Sequence, residues 1–480
     1  MTLQLKQIDE YRWEVPKSGK MRVPGLIFAD SVMMKDITRD EGPTQVANVA
    51  WLPGIIRNSL AMPDMHWGYG FPIGGVAAFD IDEGIISPGG VGYDINCGCR
   101  LMRTELTLDE VKPKIQELVT ALFHSIPSGV GSTGKIKTNQ KEEKDVLVNG
   151  AKWAVQRGMG TEEDLMRTED YGRMEGADPE MISERALTRG KDQLGTLGSG
   201  NHFLEVAVVQ EVFDKAAANA FGLFVGGVVV FIHSGSRGLG YQVCDDSLKA
   251  LGKVVVREGI EIPDRQLACA PLRSREGRSY FAGMACAANY AWANRQIIMH
   301  WTREVMLRVF ESSPAALKMS LVYDVCHNIA KIERHEVDGK MKEVCVHRKG
   351  ATRSLPAGHP LVPEVYRSIG QPILIPGDMG THSYVLVGTE GALKETFGST
   401  CHGAGRVLSR TAAIKAAKGR SIKNELLERG VFVMAGGKKD SLAEEMPEAY
   451  KDVDRVVEVV HGAGLSKKVA KTRPLGVVKG

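Results

Sequence analysis

Glycine in this chain gathers around the residue types that do chemistry, and that pattern constrains the fold more than any other feature. There are 54 glycines among 480 residues, against a usual share of about 7%. They fall beside histidine, aspartate, cysteine and serine, as in PGGVGYDINCGCR (88–100), GSGNHFLEV (198–206), HSGSRGLG (233–240) and GSTCHGAGR (398–406). A residue without Cβ lets backbone approach a ligand or a reactive side chain closely. Loops of that kind need a rigid scaffold beneath them. A chain of this length, 43% apolar and 25% charged, can build one as an ordinary globular protein. The net charge of +3 neither identifies nor excludes a nucleic-acid partner, because a basic groove can lie within a balanced total.

The cysteines stand at 97, 99, 244, 269, 286, 326, 345 and 401, with no CxxC pair and no regular framework. The opening MTLQLKQIDEYRWEV has no apolar signal core. The longest apolar run, 220–232, is too short for a bilayer and reads as a buried strand. A cytoplasmic protein with reduced thiols and no membrane segment is expected. Any one cysteine is then buried, metal-binding or catalytic.

No repeat or long linker divides the chain, so one large domain over 1–480 is expected. Thr107-Leu-Asp-Glu110 is a capping box opening a helix that runs to His124. Asp178-Pro179 predicts another helix start, and 279–311, 405–417, 421–429 and 451–462 read as helices. Strands are expected at 71–80, 203–209, 227–233, 319–326, 343–347, 372–375 and 384–388. The polar stretch 134–190 reads as a helical insertion. Helices and strands alternate without βαβ spacing, which favours an α+β fold over a doubly wound sheet.

Two histidines share a local context. His233 ends the apolar run 228–232, and His327 ends 321–326. Side chains at strand ends are held rigidly yet open onto loops. His202 lies between a glycine loop and a strand, and Asp94 and Cys97 share a glycine-rich turn. Imidazole, thiolate and carboxylate together suit a borderline divalent ion such as Zn²⁺ or Mn²⁺. Each histidine taken alone is more often a hydrogen-bonded structural residue than a ligand, and it is the five such groups in glycine-flanked settings that favour a metal site. His402, followed by Gly403-Ala404-Gly405 and a helix, could be a ligand, a general acid or a nucleophile toward phosphorus.

Other motifs fall short. Gly129 to Lys135 fits GxxxxGK, but Ile136 replaces the Ser or Thr of a P-loop. Cys99 shares one turn with Cys97 and cannot easily reach the same ion, and Cys326 points away from His327 into core. The run His347 to Arg353 reads as a basic turn, either solvated or meeting RNA phosphate through Lys349 and Arg353. Glu336-Val-Asp-Gly339 lacks the lysine of a KxDG nucleotidyl-transfer motif.

Taken in order, PDMHWGYGFPIGG (63–75), SPGGVGYDINCG (87–98), GSGNHFLEV, HSGSRGLG, DVCHNIAK (324–331), VHRKGATR (346–353) and GSTCHGAGR resemble the signature segments of the RtcB family of RNA-splicing ligases. The resemblance covers essentially the whole chain. It implies stacked β-sheets surrounded by helices, and GTP with two Mn²⁺ ions as cofactors. His402 would be the nucleophile that takes GMP, oriented by Asp64. Cys97 would bridge the two ions, shared with Asp94, His202, His233 and His327. Guanylate would be held by Asn201, His202, Phe203, Leu204 and Glu205, with Glu205 reading the guanine edge. The same site would use His327, Asn328, Pro376, Gly377, Asp378, Met379, Ser383, His402, Gly403, Ala404, Gly405, Tyr450 and Lys479. Asp378 stands where some members carry serine. The partners implied are RNA, as tRNA halves or cleaved RNA, and an archease-type activating protein, with the ligase itself monomeric.

Two rival readings use the same residues. A dinuclear metallophosphoesterase or nuclease needs the metal ligands but not the HGAG histidine. An RNA-binding scaffold with a structural metal would have a closed site, usually of Cys and His alone.

Overall fold

Two antiparallel-rich sheets carry the molecule, as the α+β reading expects. The computed structural model describes residues 3–436 and 441–480. Among these, the 7-stranded sheet runs in the order Lys6–Gln7, Arg12–Val15, Gly25–Phe28, Ile55–His66, Ile73–Asp80, Lys340–Lys349, Asn328–Val337. The 8-stranded sheet runs Ser320–Cys326, Gly98–Thr107, Gly227–Ser234, Phe203–Val212, Ser466–Lys479, Ser383–Gly388, Pro372–Ile375, with Phe432–Ala435 added in parallel to Ser466–Lys479. All seven strands read from the sequence are present.

Side-chain alternation decides what each strand buries. Along Phe203–Val212, Phe203, Ala207 and Val209 enter one core, which helices Lys215–Phe221 and Ile422–Glu428 cover. Leu204, Val206 and Val208 enter the opposite core, packed on helices Ile115–Ser125 and Arg275–Val309. A further core lies between the two sheets, where Ile27, Ala61 and Val346 meet Ile373 and Leu386 across helix Val453–Gly462. The Arg275–Val309 helix starts where the Ser274 side chain accepts from Gly277 N at 3.0 Å. It is buried along most of its length, so it can present polar residues to the interior of the molecule.

Some element boundaries differ from expectation for local reasons. The capping box at Thr107 and Glu110 forms, but Pro113 breaks the run into Leu108–Val111 and Ile115–Ser125 with a 3-10 turn between. Asp178-Pro179 makes only the 3-10 turn Pro179–Met181, and the helix begins at Glu184 behind a Ser183 cap. The run 220–232 is not one strand: Gly222 turns left-handed after helix Lys215–Phe221, and the strand begins at Gly227. The expected helix at 405–417 shortens to Arg410–Ala416.

All eight cysteines are buried and unpaired. Among the described residues, no helix is long and apolar enough to cross a membrane.

The C-terminal strand is central rather than peripheral. Residues from Arg473 to Lys479 pair with Val208 back to Phe203, and Gly476 to Lys479 pair with Phe432 to Ala435. Deleting 473–480 would leave two strands with open edges inside the molecule. The expected result is loss of a cooperative melting transition by calorimetry, since the deficit exceeds the roughly 5–15 kcal/mol that holds a domain folded. A native-like transition would show that the sheet closes without this strand.

Candidate active site

Three segments must meet for the cluster to form: the loop of Asp94 and Cys97, the end of strand Gly227–Ser234, and the junction after Ser320–Cys326. One side chain of the long helix touches all three. The fully buried Arg295 guanidinium donates to Asn96 O at 2.7 Å and Asn96 Oδ1 at 3.0 Å, beside Cys97. It donates to Ser234 O at 3.0 Å, beside His233. It also pairs twice with Asp324 at 2.8 Å, on the strand leading to His327. Arg100 Nε holds the same carboxylate at 2.7 Å. Asn96 sits at φ 52, a left-handed position that asparagine tolerates better than most residues, and its Nδ2 donates to Ala288 O at 2.7 Å. The strained turn is thereby fixed, and Cys97 faces inward.

The donors then converge. Cys97 Sγ lies 3.3 Å from His202 Nε2 and 3.2 Å from His233 Nε2. His202 Nε2 is 2.8 Å from Asp94 Oδ2, and His233 Nε2 is 3.3 Å from His327 Nε2. Two triads result, Cys97–His233–His327 and Asp94–Cys97–His202, each with its ligand atoms within 4.8 Å of one another. Cys97 belongs to both. Gly235 makes room, because a Cβ there would collide with the Asp94 carboxylate.

The electrostatics suit a divalent cation. Burial, reinforced by neighbouring positive groups, holds His233 and His327 well below the ordinary imidazole range, so both rings keep a lone pair to donate. Burial would raise Asp94, but His202 and Cys97 hold it at about 2. Burial and Asp94 push the Cys97 thiol well up. A dication is what would make that thiolate favourable. The donor set therefore fits one or two borderline metal ions.

His402 stands against this cluster, its ring centroid 4.8 Å from that of His327. It comes from the chain beyond strand Ser399–Cys401, whereas its partner Asp64 comes from strand Ile55–His66 of the other sheet. One Asp64 oxygen, Oδ2, accepts from His402 Nδ1 at 2.6 Å, His402 N at 2.9 Å and Gly403 N at 3.3 Å. Burial alone would raise this carboxyl; His402 outweighs it and keeps Asp64 below its ordinary value. With Nδ1 so engaged, Nε2 is the free nitrogen. Gly405, at φ 75, could not carry a Cβ without colliding with Asp64 O. That close approach explains why 402–405 is a loop and the helix begins later.

A cavity of about 360 Å³ opens from the donors past His402. Of the expected nucleotide residues, all but His202, Leu204 and Ser383 line it. Leu204 alternates to the opposite face and belongs to the core. Ser383 acts on the loop, its Oγ accepting from Gly377 N at 3.1 Å. Asp378 is likewise engaged locally, accepting from Gly380 N at 2.8 Å and Thr381 Oγ1 at 2.7 Å. Glu205 differs: its Oε1 is buried without a partner among the described residues. Burial first, then Asp378, push Glu205 up to about 8, against the opposing charge of Lys479.

The basic turn at 347–353 is corrected. It is not solvated: Lys340–Lys349 and Ala351–Arg353 are strands, and both cations are buried. Arg353 is turned inward by the strand and pairs with Asp170 at 2.9 Å and Gln371 at 3.0 Å. Lys349 does line the cavity; it donates to the carbonyls of Tyr69 and Phe71, and burial pushes it down to about 7.

Several cavity residues escape a reading of the sequence alone. Glu445, 1% exposed, accepts from the Tyr450 hydroxyl and pairs with Arg406 at 3.1 Å, with Lys479 at 3.9 Å. His66, within PDMHWGYG, has Nδ1 at 3.0 Å from Asp64 O, and burial pushes it down to about 4. Nothing in local spacing marks Glu445. Arg406, four residues beyond His402, lies within reach of the HGAG motif.

Comparison with other proteins agrees with these motifs. The family described as tRNA-splicing ligase RtcB matches residues 45–480. A tRNA-splicing ligase RtcB of Thermococcus kodakarensis is 58% identical over 477 residues, 99% of each chain. That of Archaeoglobus fulgidus is 57% identical over 478 residues, again 99% of each. That of Pyrococcus abyssi is 58% identical over 385 residues, which is 80% of this chain and 42% of that longer protein.

Two measurements follow from the geometry. Arg295→Lys keeps the charge but loses the planar fork, leaving buried acceptors unmatched. It is expected to cost about 3–5 kcal/mol in denaturant unfolding; a loss no larger than the roughly 0.5 kcal/mol of a surface change would mean the segments hold position without it. Glu205 concerns pH. Its folded value near 8 lies above its ordinary 4.5, so the folded state keeps a proton that the unfolded chain releases. Stability from this group is full below about pH 4.5 and lost as pH rises through about 8. Glu205→Gln, without nucleotide or metal, should therefore raise the melting temperature more at pH 8 than at pH 5; equal changes at both would contradict it.

Proposed function

The chain belongs to the tRNA-splicing ligase RtcB family, and we propose that it is a GTP- and Mn²⁺-dependent RNA ligase. It joins a 3′-phosphate or 2′,3′-cyclic phosphate end to a 5′-hydroxyl end through GMP carried on His402, in tRNA splicing and RNA repair. The observation that carries this reading is the 2.6 Å contact between His402 Nδ1 and Asp64, which leaves Nε2 facing a cavity shared with the metal donors.

The residues divide the work. Asp64 keeps a proton on Nδ1 and offsets the positive charge that grows on the ring as Nε2 bonds to phosphorus. Nε2 attacks the α-phosphorus of GTP, and the bond to pyrophosphate breaks. The guanylate then passes to an oxygen of the RNA 3′-phosphate, returning the imidazole to neutrality. A 5′-hydroxyl attacks that activated phosphorus, releasing GMP and a proton and retaining the RNA phosphate in the new linkage. A 2′,3′-cyclic end is first opened by water. Asp94, Cys97, His202, His233 and His327 would hold two Mn²⁺ ions, which when bound neutralise phosphate charge and favour in-line displacement. The unpartnered Glu205 carboxyl suits the N–H edge of guanine, whose donors would favour its ionised form on binding, with Lys479 close by. Asn201, Asn328, the loop from Pro376 to Met379, Gly403 to Gly405 and Tyr450 would enclose the nucleotide, and Lys349 would meet RNA phosphate.

A hydrolase would need the donor cluster, but it gives the His402–Asp64 pair no task. A purely structural metal would not need Asp94, which is only half-buried and opens onto the cavity.

The test is incubation with α-labelled GTP and Mn²⁺, then a denaturing gel. Acid-labile, base-stable label is expected on the protein, and none on His402→Ala. Cys97→Ala should lose at least about a hundredfold in labelling, as losses at metal sites do. Cys99→Ala and Cys326→Ala, both in core, should keep most of it. Label that persists on His402→Ala, or equal losses at all three cysteines, would refute the reading.

A further inference from the structure

The segment from Arg406 to Gly430 holds seven Lys or Arg and two Glu. That surplus of five exceeds the surplus of three for the entire chain, so the remainder of the protein is net acidic; an equal surplus over 463–480 lies along the central strand Ser466–Lys479 instead of on a helical surface. The fold makes a surface of it. Helices Arg410–Ala416 and Ile422–Glu428, with Ser441–Glu444, border a groove of about 640 Å³. Lys415, Lys418, Arg420 and Lys423 line it over a floor that includes Ile414 and Leu442, and among the described residues no acidic side chain lines it. Arg420 is neutralised by Glu425 at 2.6 Å and Glu448 at 2.7 Å. The three lysines are exposed, and among the described residues none forms an ion pair.

The groove continues the catalytic cavity. Arg410 and Glu445 line that cavity, while Ile414 and Leu442, four and three residues away from them, line the groove. Arg410 to Lys418 spans about 12 Å at about 1.5 Å per residue. That is the reach of three or four stacked nucleotides at about 3.4 Å each. Lysines without aromatic or planar partners contact phosphates as point charges and read no sequence.

We propose that this groove is the track along which one RNA strand leaves the active site, with Lys415, Lys418 and Lys423 against its phosphates a few nucleotides from the reacting end. The proposal rests on the RNA-ligase reading above. An ordinary solvated helix face would not place three unpaired lysines together in one groove that abuts the reaction cavity and, among the described residues, has no acidic side chain in its lining.

The experiment compares K415E/K418E/K423E with a control of equal charge change on distant exposed lysines, K35E/K253E/K342E. KM for RNA in the joining reaction is measured across salt concentrations, alongside labelling by α-labelled GTP. The groove variant should raise KM about tenfold or more at low salt and reduce the salt slope by about 2, near 0.7 for each single-strand phosphate no longer neutralised. Labelling should be unchanged, and the KM effect should vanish with strands of two nucleotides, which cannot reach the groove. A KM change no larger than the control's, or an equal change on two-nucleotide strands, would overturn the track. Wild-type protein that takes label but joins no RNA would instead remove the ligase reading on which it depends.

Discussion

The Arg295 guanidinium and the Asp324 carboxylate, both fully buried, form the ion pair on which the site is built. A guanidinium offers five donors in a fixed plane. Here it serves a carboxylate, two carbonyls and an amide oxygen from three parts of the chain. Removing such a charge from water is costly unless every donor is matched. The matching is what makes it informative: the loop of Cys97, the strand of His233 and the strand before His327 are in register only when all of these acceptors face Arg295. Arg100 holds Asp324 from the neighbouring strand, so the anion has two cationic partners. The clustered donor side chains are themselves poor at organising a site, because neutral imidazoles and a thiol attract one another weakly. A buried ion pair behind them does that work in advance.

The second constraint is that the two sheets must meet. Asp64 sits on one sheet, and the donor cluster sits on the other and on its loops. His402 lies between, bound through ring and backbone to the first, with its ring 4.8 Å from that of His327 at the end of strand Ser320–Cys326 of the second. Glycines decide whether this junction can close. At Gly405 the obstacle would be the Asp64 backbone, and at Gly235 the Asp94 carboxylate. The glycine enrichment seen in the sequence is thus a packing requirement around reactive side chains as well as a matter of loop freedom.

Apolar strands are the legible part of the fold, because alternation or continuous β-branching marks a strand with a dry face. Asn328–Val337 is not legible. Its inward residues are Lys331, Glu333 and His335, and its outward ones include Ile332. Lys331 pairs with Glu169 and Asp170, and Glu333 with Arg348, so the usual pattern is inverted by a buried ion network. Buried Arg100 obscures Gly98–Thr107 in the same way. The helix Arg237–Arg257 begins inside HSGSRGLG, where glycines read as loop. At the site, Asp94, Cys97, His202, His233, His327 and His402 can be nominated because each stands in a distinctive local setting. Arg295, Asp324 and Glu445 cannot, since their meaning comes from partners far away in sequence. Arg353 misleads for the same reason: only the fold reveals Asp170 beside it.

Cys97 belongs to both donor triads, and His402 stands beside them with its ring 4.8 Å from that of His327. Diffraction from crystals soaked in Mn²⁺, recorded at the manganese absorption edge, locates the ions proposed to share the Cys97 thiolate. Two anomalous peaks are expected, one within the Cys97–His233–His327 triad and one within Asp94–Cys97–His202, both adjacent to Cys97 Sγ. A single peak remote from Cys97, or peaks that persist unchanged in Cys97→Ala crystals, would contradict the shared thiolate.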